Sequence, residues 1–145
     1  SGMQSLILHL IEDHDYRNIA FIRGPEGNIE AEERYANFCE ILHEHNIPIN
    51  QNLVFPGNFT RKCGEEAVKK ILKTGEHVEV IVAAADETAL GALEALQKMG
   101  KNVPGDIAVV GFDDIEDILQ PVFFLFYIHG FGKAVGIKQD SLIIF

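Results

Sequence analysis

The side chains with binding chemistry gather in four short stretches: Gly24 to Arg34, Gly57-Asn58-Phe59-Thr60, Ala84-Ala85-Asp86-Glu87 and Phe112-Asp113-Asp114. The first offers Asn28, Glu30 and Arg34, a mixture of amide, carboxylate and guanidinium suited to a hydroxyl-rich ligand. Phe59 can present an apolar platform to the face of a sugar or a base. Asp113 can accept hydrogen bonds from hydroxyls. Each also has an ordinary structural use: Arg34 in a helix-surface ion pair, Phe59 in the core, Asp113 as a helix cap.

Signatures of catalysis are missing. No Gly-x-Ser-x-Gly elbow and no GxxxxGK[ST] phosphate loop occurs. Gly130-Phe131-Gly132-Lys133 begins like a dinucleotide fingerprint, but the next glycine, Gly136, falls one residue too far along. His43-Glu44-His45 has the wrong spacing to put two ligands on one helix face and reads as a solvated cluster. Asp113, Asp114, Glu116 and Asp117 lack a His or Cys partner and the spacing of a calcium loop. We therefore expect no catalytic residue, no metal and no cofactor.

The scaffold for these stretches is legible in the apolar rhythm. Leu6, Leu8, Leu10 and Ile11 give one side to an opening helix that stops at Glu12-Asp13-His14-Asp15. Ile19 to Ile22, Leu53 to Phe55, Val78 to Ala83 and Ile107 to Val110 are short continuous apolar runs, as expected of strands buried on both faces. Tyr35, Phe38 and Leu42 recur at helical spacing over Ala31 to His45. Ala67/Val68 and Ile71/Leu72 mark a second such helix over Gly64 to Lys73. Asp86 is placed as the N-cap of a third, with Ala89, Ala92, Leu93 and Leu96 on one face and Gly100 at its left-handed end.

Strands alternating with helices predict βαβ crossovers. The fold class is α/β, with a mostly parallel sheet and helices on both faces. In such a sheet ligands bind beyond the carboxyl ends of the strands, where all four polar stretches fall. The tail breaks the rhythm: Phe123 to Ile128 reads as a strand, and Gly132 to Ile144 as a weakly patterned helix.

Bulk properties bound the function. The length of 145 residues points to one domain, and 47% hydrophobic with 23% charged residues is ordinary for a globular chain. The formal charge of −10 speaks against this segment itself gripping nucleic acid, since phosphate binding rests on Lys and Arg. Cys39 and Cys63, without a CxxC spacing, are expected to be reduced thiols of a cytoplasmic protein. No secretory signal opens the chain, and Val122 to Ile128 is too short a run to cross a bilayer, so no membrane partner is expected. Ser1-Gly2 reads as a remnant of tag cleavage.

Arg17-Asn18-Ile19-Ala20-Phe21-Ile22-Arg23-Gly24-Pro25 and Ala31-Glu32-Glu33-Arg34-Tyr35 resemble the start of the C-terminal subdomain of the LacI/GalR-type, periplasmic-binding-protein-like sensors. Asp86 to Leu93, followed by Val103 to Asp114, is the more specific match, and the similarity runs in the family's order over roughly residues 15 to 117. The resemblance implies one lobe of a type I periplasmic-binding-protein-like fold over residues 3–121, with 122–145 returning towards a missing lobe. It implies a non-catalytic sensor in which a small sugar-like effector binds between two lobes, in a protein that forms a homodimer. By the same resemblance Arg34 is the effector-binding arginine, Phe59 the aromatic that packs on the effector, and Asp113 the strand-end carboxylate. Asn28 and Glu30 lie in the corresponding first loop.

Three departures stand beside that match. The family usually carries Asn-Asp where this chain has Ala85-Asp86, which removes one polar contact to a sugar. The chain begins at the helix leading into the subdomain, so any DNA contact is expected to come from a headpiece outside it. The segment from Phe123 to Phe145 follows the family only loosely. Two other outputs stay open at this stage: a sensor module of a diguanylate cyclase or histidine kinase, and a free-standing α/β enzyme.

Overall fold

The computed structural model describes residues 2–112 and 141–144. The chain runs α1 (Gly2–Glu12), β1 (Ile19–Ile22), α2 (Ile29–Glu44), a 3₁₀ turn at Gln51–Leu53, β2 (Val54–Phe55), α3 (Arg61–Thr74), β3 (Val80–Ala83), α4 (Asp86–Lys98), β4 (Ala108–Phe112) and β5 (Ser141–Ile144). One sheet has the order β2-β1-β3-β4-β5. The first four strands are parallel, with Ile22 beside Ala83 and Ala83 beside Gly111, and β5 runs antiparallel to β4.

Helices cover both faces, as expected from strands without polar alternation. In β1, Ile19 and Phe21 point to a core built with Leu6, Leu10, Phe38 and Leu42 of α1 and α2. Ala20 and Ile22 point the other way, to Val68, Ile71, Ala92 and Leu96 of α3 and α4. The two-residue period of a strand thus feeds two separate cores from one run of four apolar residues.

Helices α3 and α4 approach closely because glycines face each other's backbone. A Cβ on Gly64 would strike the Thr88 carbonyl and the Ala92 nitrogen, and one on Gly91 would strike the Arg61 backbone. Thr88 Oγ1 donates to the Thr60 carbonyl at 3.1 Å, and Arg61 Nε meets Glu87 Oε2 at 2.7 Å. This packing fixes the start of α3, and with it the loop that carries Phe59.

Several boundaries differ from the sequence expectation. Leu53 belongs to the 3₁₀ turn, so β2 is only two residues long. Helix α3 starts at Arg61 rather than Gly64 because the side chain of Thr60 accepts from Cys63 N and caps it. Asp86 is the first helical residue of α4; Ala85, with extended φ −148 and ψ 154, occupies the N-cap and makes no side-chain cap bond. Gly100 does adopt a positive φ of 76 just past α4, as expected. Residues 141–144 are strand, not the end of a helix, since Leu142 to Ile144 pair with Val109 to Gly111 on the open edge of β4. The strand expected over Phe123 to Ile128 lies outside the described residues.

Glu79 fastens the amino-terminal edge of the sheet. Its Oε1 accepts from Arg17 N and Asn18 N, both at 2.9 Å, and from Asn18 Nδ2 at 3.1 Å. Partial burial would raise this carboxyl, but the hydrogen bonds outweigh it and hold it below the ordinary glutamate range. A depressed pKa means stability that is present above the unfolded-state value and lost as pH falls through the folded one. Glu79→Gln is expected to cost about 1 kcal/mol at neutral pH, a figure kept small by partial exposure. Denaturant unfolding across pH checks this: the difference from wild type should vanish in acid, where both side chains are neutral.

Candidate functional site

The strand order creates a crevice. From β1 the chain crosses by α2 outward to β2, then returns by α3 to β3 on the other side of β1. Helices leaving the carboxyl ends of β1 and β3 therefore diverge to opposite faces, and the gap between those ends is the usual ligand position in an open parallel sheet.

The loop from β1 into α2 is braced from within. Asn28 Oδ1 accepts from Ala31 N at 3.0 Å and caps the helix. Arg23 Nη2 meets Glu32 Oε2 at 2.7 Å, and its guanidinium lies 4.1 Å over the Tyr35 ring. Glu32 Oε1 in turn accepts from Gly27 N at 3.3 Å. The first turn of α2 is thereby held in place, and Arg34 sits on its inner side.

Arg34 spans the crevice. Its side chain is only 10% exposed. Nη1 donates to the Ala84 carbonyl at the end of β3, at 2.7 Å. The guanidinium carbon lies 4.6 Å from the Phe112 ring centroid and 6.0 Å from that of Phe59. Glu30 Oε2 stands 3.8 Å from Nη2, with the Glu30 side chain 66% exposed. A buried charge is tolerated here because a charge-assisted hydrogen bond and two aromatic rings replace part of its hydration. The surface ion-pair use of Arg34 is thus the lesser part of its environment.

Phe59 is half-buried against the α1–α2 core at the same edge. It holds a left-handed φ of 67, unusual for a bulky residue. The flanking turn supports it: Asn58 Oδ1 accepts from Thr60 N at 3.3 Å and from Thr60 Oγ1 at 2.5 Å. The ring lies directly over Gly24, where any Cβ would collide with it.

The structure therefore brings together Arg34, Glu30 and Phe59 of the residues singled out in the sequence. Asn28 is near them, exposed, with its oxygen engaged as a helix cap. Asp113 lies outside the described residues. Two participants, Phe112 and Ala84, fall within the stretches marked in the sequence but are given no role there. Phe112 looks like any strand residue, although its place just before Asp113-Asp114 marks a strand end. Ala84 contributes only its carbonyl, which residue type does not reveal.

Ala85, next to the Ala84 carbonyl, is the N-cap residue of α4 but supplies no side-chain cap bond. Asparagine there is expected to accept from a backbone amide of the first turn of α4 and to raise stability by about 1 kcal/mol. A higher midpoint for Ala85→Asn in chemical unfolding checks this.

Among the described residues no group of three or more His, Cys, Asp or Glu is placed to hold a metal, and no helix is long and apolar enough to cross a membrane. The periplasmic binding protein-like domain family matches residues 7–122. The chain is 30% identical over 136 residues to the HTH-type transcriptional repressor PurR of Actinobacillus pleuropneumoniae serotype 3 (strain JL03), covering 94% of this chain and 40% of that protein. Among solved structures it resembles a sugar-binding transcriptional regulator of the LacI family from Escherichia coli complexed with phosphate, at TM-score 0.73 and 33% identity, covering 79% of this chain and 41% of that one. It also resembles a complex of the transcriptional regulator CelR with cellobiose, at TM-score 0.72 and 34% identity, covering 78% and 34%. These relatives are transcriptional regulators, and the chain spans about two fifths or less of their length.

Proposed function

We propose a function on one premise: the chain belongs to the periplasmic binding protein-like domain family, in the form found in LacI-type regulators. It is the effector-sensing lobe of such a regulator, binding a small sugar-like molecule at the crevice and performing no chemistry. The observation that carries this reading is the placement of Arg34, drawn across the crevice to the Ala84 carbonyl and stacked on Phe112. A planar fork of donors on an aromatic surface suits hydroxyls or a carboxylate on a ring-shaped ligand. Phe59, Glu30, Asn28 and Asp113 complete the ligand set.

The crevice is one-sided, and a second lobe closes it in the full-length protein. Ile29, an aliphatic side chain 83% exposed at the mouth beside Glu30, suits a contact with that lobe. An effector touching both lobes favours the closed arrangement by its differential affinity, and the closed angle is passed to a DNA-binding headpiece. The regulator works as a homodimer in the cytoplasm, and the acidic lobe described here makes no contact with DNA itself. The regulatory output of the relatives favours this reading over a signalling-enzyme sensor.

A thermal-shift screen of the full-length protein against sugars, nucleosides and organic acids tests it. One chemical class should raise the melting temperature in proportion to the logarithm of its concentration. No shift with any of them at millimolar concentration would remove the sensing role.

A further inference from the structure

We propose that His9 and His14 form a two-imidazole site for a zinc-like divalent cation at the carboxyl end of α1, away from the effector crevice. His9 lies in the last turn of the helix and His14 just beyond it, and their Nε2 atoms are 3.1 Å apart. Two imidazoles on one tetrahedral zinc at ordinary bond lengths hold their nitrogens about 3.3 Å apart. The pair thus needs to open by a few tenths of an ångström to admit the ion.

The other nitrogen of His9 supports this use. Nδ1 faces Asp13 Oδ2 at 2.5 Å, which places the ring proton on Nδ1 and the lone pair on Nε2. A carboxylate behind a histidine in this way is the usual outer support of a zinc ligand. In the absence of the ion His14 Nε2 donates its proton to that lone pair, and the ion displaces this proton from the neutral ring. Metal binding requires such neutral rings.

The geometry is built before any ion arrives. Asp15 takes a left-handed φ of 56, and Tyr16 N donates to the Leu10 carbonyl at 3.1 Å, turning the chain back over the helix end. Tyr16 stacks on His14 with centroids 5.5 Å apart and planes 15° apart. Arg17 closes the turn, with Nη2 on Asp15 Oδ1 at 2.9 Å and Nη1 on the Ile11 carbonyl at 3.2 Å. Little side-chain freedom is left to lose on binding. Two protein nitrogens alone give a moderate affinity, not that of a structural zinc. Without the ion the same contact is a hydrogen bond between the two rings. With it, the cation clamps α1 to the segment entering β1.

Calorimetric titration of the full chain with zinc chloride near neutral pH tests this, with the histidine ring resonances followed in parallel by NMR. One equivalent should bind with micromolar affinity and shift the ring signals of His9 and His14. His9→Gln and His14→Gln should each weaken binding more than about tenfold, and Asp13→Asn about tenfold. No uptake by the wild type at millimolar zinc overturns the proposal, as does wild-type affinity in both glutamine variants. Circular dichroism confirms that each variant is folded. Should either fail to fold, the wild-type ring signals decide: shifts at His43, His45 or His77 in place of His9 and His14 also overturn it.

Discussion

Arg34→Ala in the full-length protein is expected to weaken effector binding by roughly a hundredfold, corresponding to about 3 kcal/mol. The magnitude follows from what the side chain does in the crevice. It is nine-tenths buried, and its charge is met by one carbonyl, two rings and a loosely placed Glu30. Truncation removes a charge-assisted donor from a site already shielded from water, where such a bond is worth most. It also leaves the Ala84 carbonyl without that donor, which lowers stability by about 1–3 kcal/mol while the sheet and both cores stay intact. Arg34→Lys separates the two roles. Lysine keeps the charge but not the planar fork, so the domain should stay close to wild-type stability while most of the affinity is lost. Titrating both variants with the ligand found by thermal shift, alongside their unfolding curves, checks this. Undiminished affinity in Arg34→Ala would exclude Arg34 from the site.

The second large effect is structural. Gly91→Val is expected to destabilise the domain by about 3 kcal/mol, or roughly 10 °C in melting temperature. The added side chain would run into the backbone of Arg61 rather than a side chain that can swing away. Helices α3 and α4 must separate to admit it, and the contacts from Thr88 to Thr60 and from Glu87 to Arg61 go with them. Because Thr60 follows Phe59, the aromatic side of the crevice should loosen as well, and effector affinity should fall along with stability. Gly105→Ala is the matched control, since its nearest neighbour would be Asn102 Cβ at 3.4 Å. That change should stay within about 0.5 kcal/mol of wild type. Calorimetric melting of the two variants distinguishes a steric cost from a general intolerance of glycine replacement.

Much of the scaffold is legible in the sequence because the strands are buried on both faces. Ile19 to Ile22 and Val80 to Ala83 carry no polar residue, and such runs between helical periods leave few alternatives to a parallel sheet. The helix boundaries read less well, for a definite reason. Apolar periodicity marks the part of a helix that touches the core, whereas the start is set by caps. Thus α3 begins at Arg61 under the Thr60 side chain, ahead of its first core pairs. Asp86 attracts the N-cap assignment by its type, yet the extended backbone falls on Ala85. Residues 141–144 mislead because four strand residues on a sheet edge are too few to show a period.

The site divides in the same way. Arg34 and Phe59 are visible as residue types in loops at strand ends. What makes them a site is long-range and partly backbone: the Ala84 carbonyl, 50 positions away in sequence from its donor, and the Phe112 ring at the end of β4. The close approach that seats Phe59 over Gly24 is likewise a product of packing. No local pattern announces such contacts.

Hydrogen–deuterium exchange of the full-length protein, with and without the ligand that raises its melting temperature, tests the central claim most directly. Effector bound at the crevice should slow exchange in the peptides spanning residues 23–34, 57–60 and 84–86, and leave the opposite end of the sheet, around residues 45–50 and 76–79, unchanged. Bound ligand that protects other regions while leaving those three segments as they are without it would contradict the account.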